Sequence, residues 1–208
     1  YSQLGVNDFV ICCGYTGYVI KEYFASYFLH MSDVTFDMQT NSVHVHQKRA
    51  EPWKVTLVDT GDDSMTGGRI LRVADHVKDE PAFCLTYGDG VADVDISETI
   101  RFHQQHGKSV TVTATRPPGR FGALDIHDGK VRSFQEKPKG DGGMINGGFF
   151  VLSPRVLGYL KDDHTAWEQQ PLQRLAAEGQ VMAYEHHGFW PPMDTLRDKS
   201  YLEELWYS

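Results

Sequence analysis

Three aspartates, Asp89, Asp93 and Asp95, stand close together in the stretch LTYGDGVADVD, residues 85–95. A carboxylate just past a buried strand is a common way to hold Mg²⁺ over a phosphate. Ligands of open α/β sheets sit beyond the carboxyl ends of strands, and Mg²⁺ takes hard oxygen donors. Asp89 is the best placed of the three. It follows the apolar run AFCLTYG directly, and Gly88 and Gly90 on either side let a ligand approach the backbone. The competing reading is an ordinary Asp-Gly turn. Asp93 and Asp95 spell Asp-x-Asp, the metal motif of many nucleotide-sugar glycosyltransferases. They lie farther from the strand, however, and Asp95 immediately precedes a helical stretch, where capping is its expected task.

A second cluster is FQEKPKGDGGMINGGFF, residues 134–150. Glu136 and Lys137 end one expected strand and Asn146 begins another, so an acceptor, a cation and an amide fall at one rim of a sheet. A carboxylate and an amide suit sugar hydroxyls, and an ammonium suits a phosphate. Taken singly, each has an ordinary surface explanation. In GFWPPMDTLRD, Asp194 is either the cap of a final helix or, facing Asp89, the second carboxylate of one Mg²⁺ site. The loop SMTGGR opens a helix: its glycines, Gly68 among them, and the helix N-terminus could accept a base or phosphate, and Arg69 could reach a pyrimidine carbonyl. His44 and His46 share a strand face without a third ligand nearby, and His186 and His187 point apart on an extended chain. Neither pair reads as a metal site. The chain has no nucleophile elbow, since GYTG lacks the serine.

The elements that position these residues alternate. DFVICC is a short apolar run of the kind found in parallel strands covered on both faces, and Ile20, Tyr23, Phe24, Tyr27 and Phe28 recur at helical spacing after it. VTFDM, VHVH and KVTLVDT read as strands, RILRVADHV as a helix, AFCLTY as a buried strand, and ISETIRFHQQHG as a helix stopping on Gly107. SVTVTAT alternates as a strand, and GALDIHDGKVRSFQEKP as two strands about Asp128-Gly129. GGFFVL follows, then helices near 154–160 and 171–178, the strand VMAYE and a closing helix. YSQLG has the character of a last helical turn. The whole predicts an α/β protein with a mixed, mostly parallel central sheet flanked by helices, in one domain spanning 1–208.

Composition narrows the class. The chain has 208 residues, 40% of them apolar, and 20 basic against 28 acidic side chains give a net charge of -8, so a basic nucleic-acid footprint is absent. Phosphate ligands must be met by a few local Lys and Arg. No apolar run approaches the roughly 18 residues of a membrane span, which predicts a protein of the cytoplasm without membrane association. Cys12, Cys13 and Cys84 read as buried reduced thiols.

The segments FVICCGYTGYVIKEYF, VDTGDDSMTGGR, YGDGVADVD, PPGRFGALDI, FQEKPKGDGGMINGGFFV and FWPPMDTLRDK, in that order, resemble the sugar-1-phosphate nucleotidyltransferase superfamily. Within it they are most similar to the cytidylyltransferases that act on glucose 1-phosphate. The resemblance covers nearly the whole chain. It implies a Rossmann-like nucleotidyltransferase fold and the reaction of CTP with α-D-glucose 1-phosphate to give CDP-glucose and pyrophosphate. It also implies a Mg²⁺ cofactor, a homo-oligomer, and a place in supplying nucleotide sugar for surface polysaccharide such as lipopolysaccharide O-antigen. By motif, Asp89 and Asp194 would be metal ligands, with Lys137 beside them in the catalytic set. Ser64, Gly68, Arg69 and Gly88 would line the nucleotide, and Glu136, Lys137, Asn146 and Gly147 would hold the glucose phosphate. The superfamily's opening strand and G-G-x-G-T-R loop are not in this sequence. That departure carries the expectation of an N-terminally incomplete chain and leaves open a non-catalytic nucleotide-sugar-binding or oligomerisation subunit. A nucleotidyltransferase of other base preference stays open as well, since Arg69 would serve uracil equally.

Overall fold

The computed structural model describes residues 1–117, 123–127, 130–135 and 143–208. Its elements form two compact units, the first from Tyr1–Asp79 with Leu157–Gln173, the second from Glu80–Val156 with Arg174–Ser208.

In the first unit, a single 3₁₀ turn, Ser2–Leu4, closes on Gly5 in the left-handed region and leads into β1 (Asp8–Cys13). Then come α1 (Gly17–His30), β2 (Ser32–Asp37), β3 (Ser42–Lys48) and β4 (Lys54–Asp59). β1 and β4 pair in parallel, Asp8 opposite Lys54 through Cys13 opposite Asp59, while β2 and β3 form an antiparallel hairpin. The expected helix from Arg69 onward is two pieces, α2 (Thr66–Arg72) and α3 (Ala74–Val77), because Val73 leaves helical geometry at φ -102, ψ 11. The apolar stripe of α1 is only partly used. Phe24 and Tyr27 are half-buried, Tyr27 stacking on Trp53, whereas Ile20, Tyr23 and Phe28 are exposed.

The second unit holds β5 (Phe83–Leu85), α4 (Ile96–His106), β6 (Val110–Thr115), β7 (Ala123–His127), β8 (Lys130–Gln135), β9 (Ile145–Asn146) and β10 (Phe150–Leu152). A 3₁₀ segment, Pro154–Tyr159, and α5 (Gln170–Ala177) precede β11 (Val181–His186) and α6 (Leu196–Tyr207). The sheet runs β11-β6-β10-β5, with β9 on β6; β6 is parallel to β11 and antiparallel to β10 and β9. β7 and β8 form a separate antiparallel pair, and the turn expected at Asp128-Gly129 lies outside the described residues. The mixed α/β architecture expected from the sequence is present, but the expected predominance of parallel pairing is not seen among the described residues: β1–β4 and β6–β11 pair in parallel, and the other five strand pairings are antiparallel, because short hairpins and the returning strands β9 and β10 supply most of the neighbours.

The core of this unit is Val110, Phe150, Leu152, Val156 and Leu175, all fully buried. β6 is buried on both faces, and its threonines bond inward: Thr113 Oγ1 donates to Phe149 O at 2.9 Å. Thr111 Oγ1 lies 2.9 Å from His103 Nδ1 and 2.7 Å from His106 Nε2. Because the Lys108 amide donates to His106 Nδ1, that ring carries its proton on Nε2 and gives it to Thr111, whose hydroxyl proton goes to His103. α4 is thus bolted to β6 through a neutral hydroxyl–imidazole chain. Among the described residues no helix is long and apolar enough to cross a membrane.

Candidate functional site

Asp89 sits in the turn after β5, exposed, and the segment it begins runs antiparallel to residues 189–193. Gly90 bridges Pro192; Met193 N donates to Asp89 O at 2.8 Å, Val91 N to Pro191 O at 3.3 Å, and Asp93 N to Phe189 O at 3.2 Å. This register sets the backbone of Asp194 one step from that of Asp89, at the same end of the two-segment contact. Asp194 is exposed and is not the helix cap. That task belongs to Thr195, whose hydroxyl accepts from Asp198 N in a capping box.

The other two aspartates have structural tasks. Asp95 caps α4, accepting from Glu98 N at 2.9 Å, as expected. Asp93 Oδ1 lies 3.0 Å from His186 Nε2. The Asp-x-Asp reading therefore loses both members. His187 faces the other way, 3.5 Å from Glu185.

A third segment reaches this turn. Asn146 ends the two-residue β9 instead of beginning a strand; it pairs with Ala114, and its Oδ1 accepts from Gly148 N at 2.9 Å. Gly148 and Phe149 both take left-handed backbone, φ 73 and 47, the latter a conformation that costs a non-glycine residue about 1 kcal/mol. Gly148 lies against the Tyr87 ring, where a β-carbon would come within 3.1 Å, and Gly90 lies against Phe149. Gly147 is buried; its amide donates to Thr113 O at 2.8 Å and its carbonyl accepts from Trp190 Nε1 at 2.7 Å. Gly88, by contrast, is exposed, with open space where a side chain would stand. Glu136 and Lys137 lie outside the described residues.

In the first unit the loop Thr60–Met65 leads into α2. Ser64 is buried, and Arg69 Nη1 donates to Thr60 Oγ1 at 2.7 Å while Nη2 donates to Asp62 O at 3.2 Å. The guanidinium lies on Gly14, where a β-carbon would stand 2.3 Å from Nη1. The start of α2 is clamped to a later segment. Met65 N donates to Asp163 O at 2.8 Å and Gly68 N to Thr165 O at 3.1 Å. Thr66 Oγ1 donates to Glu168 Oε2 at 2.7 Å and accepts from Trp167 N at 2.9 Å. Arg72 holds Asp163 bidentately, at 2.8 and 2.6 Å, which raises the Arg72 pKa and lowers that of Asp163 through the shared hydrogen bonds. A β-carbon on Gly68 would meet the Asp163 backbone at 2.6 Å, so this glycine permits backbone contact. A shallow cavity of about 270 Å³ opens beside the loop, lined by residues that include Ser64, Asp62, Arg72 and His164. Sequence reasoning missed Thr66, Asp163 and Glu168. Their partners lie 91 to 102 residues away, and the only local sign is a Gly-Gly pair where a helix starts.

Among the described residues no group of three or more His, Cys, Asp or Glu side chains gathers as a ready-made metal cage. Two exposed carboxylates, Asp89 and Asp194, on adjoining segments fit Mg²⁺ nonetheless. This ion keeps several waters and uses one or two carboxylates plus substrate phosphates. The three cysteines are free; burial raises the Cys12 pKa and pushes Cys84 up to about 11, so both are protonated thiols near neutral pH.

Residues 17–203 match the family described as "Nucleotidyl transferase". The chain is 70% identical over 206 residues to glucose-1-phosphate cytidylyltransferase of Salmonella typhimurium, covering 99% of this chain and 80% of that protein. It is 42% identical over 207 residues to a probable glucose-1-phosphate cytidylyltransferase of Bacillus subtilis, with the same coverage. In structure it is similar to crystalline HddC from Yersinia pseudotuberculosis, with a TM-score of 0.67 at 20% identity over 99% of this chain and 81% of that one, a likeness of fold. The chain belongs to the nucleotidyl transferase family, among relatives that are glucose-1-phosphate cytidylyltransferases.

Proposed function

We propose that this protein transfers the cytidylyl group of CTP to α-D-glucose 1-phosphate, giving CDP-glucose and pyrophosphate. The observation that carries the reading is the 70% identity, over nearly the whole chain, to a glucose-1-phosphate cytidylyltransferase. The family match runs through both compact units, which supports treating 1–208 as one nucleotidyltransferase domain.

A sugar phosphate is ionised near neutral pH, so its oxygen attacks the α-phosphorus of CTP without a dedicated base. The new O–P bond forms as the bond to the β-phosphate oxygen breaks, and pyrophosphate carries away the electron pair. The protein's part is to position and neutralise charge. Asp89 and Asp194 are the proposed holders of Mg²⁺, which when bound would offset charge on the nucleotide phosphates. Ser64, Gly68, Arg69 and Gly88 are proposed for the nucleotide. Arg69 suits this role because two of its donors already fix it to Thr60 and Asp62, leaving further N–H groups on a pre-set guanidinium. Glu136, Lys137, Asn146 and Gly147 are proposed for glucose 1-phosphate. The exposed Ile20, Tyr23 and Phe28 of α1 support a homo-oligomer, and a cytoplasmic place follows from where CTP is made.

Pyrophosphate release with CTP, glucose 1-phosphate and Mg²⁺ tests the reaction, and competition among the four nucleoside triphosphates tests the base. Absence of pyrophosphate with CDP-glucose still bound would replace this reading with a binding subunit. Lys137→Ala should raise KM for glucose 1-phosphate more than KM for CTP. A rise confined to CTP would remove Lys137 from the sugar-phosphate set.

A further inference from the structure

We infer that Trp190 is a positioning residue: its indole N–H holds the Gly147 carbonyl and so sets the side-chain amide of Asn146 to act as a hydrogen-bond donor toward glucose 1-phosphate. The inference rests on the proposed reading of Asn146 as a sugar-phosphate residue.

The hydrogen bonds of the turn Asn146–Phe149 decide what each residue can still offer a ligand. Asn146 pairs with Ala114 of β6 through the backbone. Gly147 N donates to Thr113 O at 2.8 Å and Thr113 Oγ1 donates to Phe149 O at 2.9 Å, so one β6 residue grips the turn on both sides of Gly148. The grip works against the left-handed backbone of Phe149, at φ 47. Trp190, half-buried, closes the turn from another segment, its Nε1 donating to Gly147 O at 2.7 Å. Both backbone groups of Gly147 are therefore engaged, and its part in the sugar-phosphate set is room. A β-carbon there would stand 3.0 Å from Thr113 O and 3.2 Å from Trp190 Nε1. Asn146 is fixed differently. Its side chain accepts from Gly148 N at 2.9 Å, and only the amide oxygen can accept, so the orientation of the amide follows. What Asn146 has left to give is its NH₂ group, which is exposed with the residue and has no partner among the described residues. Such a donor suits a phosphate oxygen or a sugar hydroxyl. Because Asn146 Oδ1 is tied to Gly148 N, the side chain moves with the turn. Gly147 is buried, so without the indole N–H its carbonyl loses a donor that water does not readily replace; the turn relieves that cost by rotating, and Asn146 rotates with it. Trp190 also lies in the segment bonded to residues 91 and 93 through Pro191 O and Phe189 O, so one indole joins the Asn146 rim to the segment that starts at Asp89.

Calorimetric titration of the purified protein with α-D-glucose 1-phosphate and, separately, with CTP and Mg²⁺ tests this without turnover. The set comprises wild type, Trp190→Phe, Gly147→Ala, Asn146→Asp and Asn146→Ala, each with its Tm. Trp190→Phe keeps an aromatic ring and lacks the N–H. It should weaken glucose 1-phosphate by about 2- to 10-fold, the range for one hydrogen bond, and leave CTP within about twofold of wild type. Gly147→Ala crowds the indole off the carbonyl and should give the same split. Asn146→Asp keeps the acceptor for Gly148 N and loses the donors, so it should bind glucose 1-phosphate no better than Asn146→Ala. Wild-type affinity in Asn146→Asp would show that the donors are not used and overturn the inference. With Asn146→Ala weakened, an unchanged glucose 1-phosphate affinity in Trp190→Phe overturns the positioning role alone. So do equal losses of both ligands in Trp190→Phe and Gly147→Ala, whether or not Tm falls with them. If Asn146→Ala binds glucose 1-phosphate as wild type does, or wild type does not bind it, the reading of Asn146 fails and the inference falls with it.

Discussion

The loop entering α2 and the turn leaving β5 both set glycines beside residues suited to bind substrate, yet they are held in opposite ways. In the first, side chains do the holding: Arg69 grips its own loop, Thr66 bridges to Glu168 and Trp167, and Arg72 grips Asp163. In the second, Asp89 is exposed, Gly88 borders open space, and the fixing contacts are backbone bonds or stand several residues away at His186. A loop whose own polar groups are engaged can offer a base a fixed surface. A turn whose carboxylate stays in solvent can offer a hydrated cation a ligand. The first engages its side chains in holding its shape, and the second leaves the Asp89 carboxylate in solvent.

Breaking the turn should have the largest effect. Asp89→Asn should lower kcat by about 10²-fold or more, as expected when a charge-stabilising group is lost in the transition state, while leaving Tm nearly unchanged. A comparable fall in Asp93→Asn would erase the distinction between the two residues.

Breaking the loop should give the reverse signature. Thr66→Val leaves the Glu168 carboxylate and the Trp167 amide without the threonine hydroxyl, costing about 1–3 kcal/mol. It should lower Tm and raise KM for CTP several-fold, with a smaller change in kcat, and Thr66→Ser should restore both. Thermal melts and initial rates on the same preparations check it; a kcat effect without a Tm effect would place Thr66 with the reacting groups.

A gentler probe is pH. Burial, then the neighbouring His106, lowers the His103 pKa below the ordinary value of 6.5; burial, then Lys108, lowers that of His106. The unfolded chain therefore binds more protons than the folded one in this range. The stability from this pair should be fully present above about pH 6.5 and lost as pH falls below it. Melting curves between pH 5 and 8 should show that slope in wild type and a shallower one when His106 is replaced by Gln. The smallest expected change is Asp95→Ala, loss of one helix cap worth about 1 kcal/mol, with kcat untouched.

The sequence was most legible where a residue's role is set by its neighbours in the chain. β1, β4, β6 and β11 follow their apolar or alternating runs, and Asp95 before ISETI reads as a cap because capping is local. The alternation of SVTVTAT marks a strand but not its surroundings: the threonines that would face water on a one-sided sheet are buried here, bonded to His103, His106 and Phe149. Asp194 shows the same limit, since Asp and Thr both cap helices and only the geometry assigns the task to Thr195. His186 read as half of an unpromising pair because its partner, Asp93, is brought to it by the fold.

The clamp on α2 also bears on how the chain is made. Arg72 and Asp163 are 91 residues apart and Thr66 and Glu168 are 102 apart, with the residues of the second unit between them in sequence. At a synthesis rate of about 5–20 residues per second, the loop waits roughly 5–20 s on the ribosome before its partners emerge. During that interval the Gly67–Gly68 backbone, shaped for contact with Asp163 and Thr165, has nothing to rest on, whereas residues 80–156 can already pair β5, β6 and β10. The clamp on the start of α2 is therefore among the later contacts of the molecule to take form.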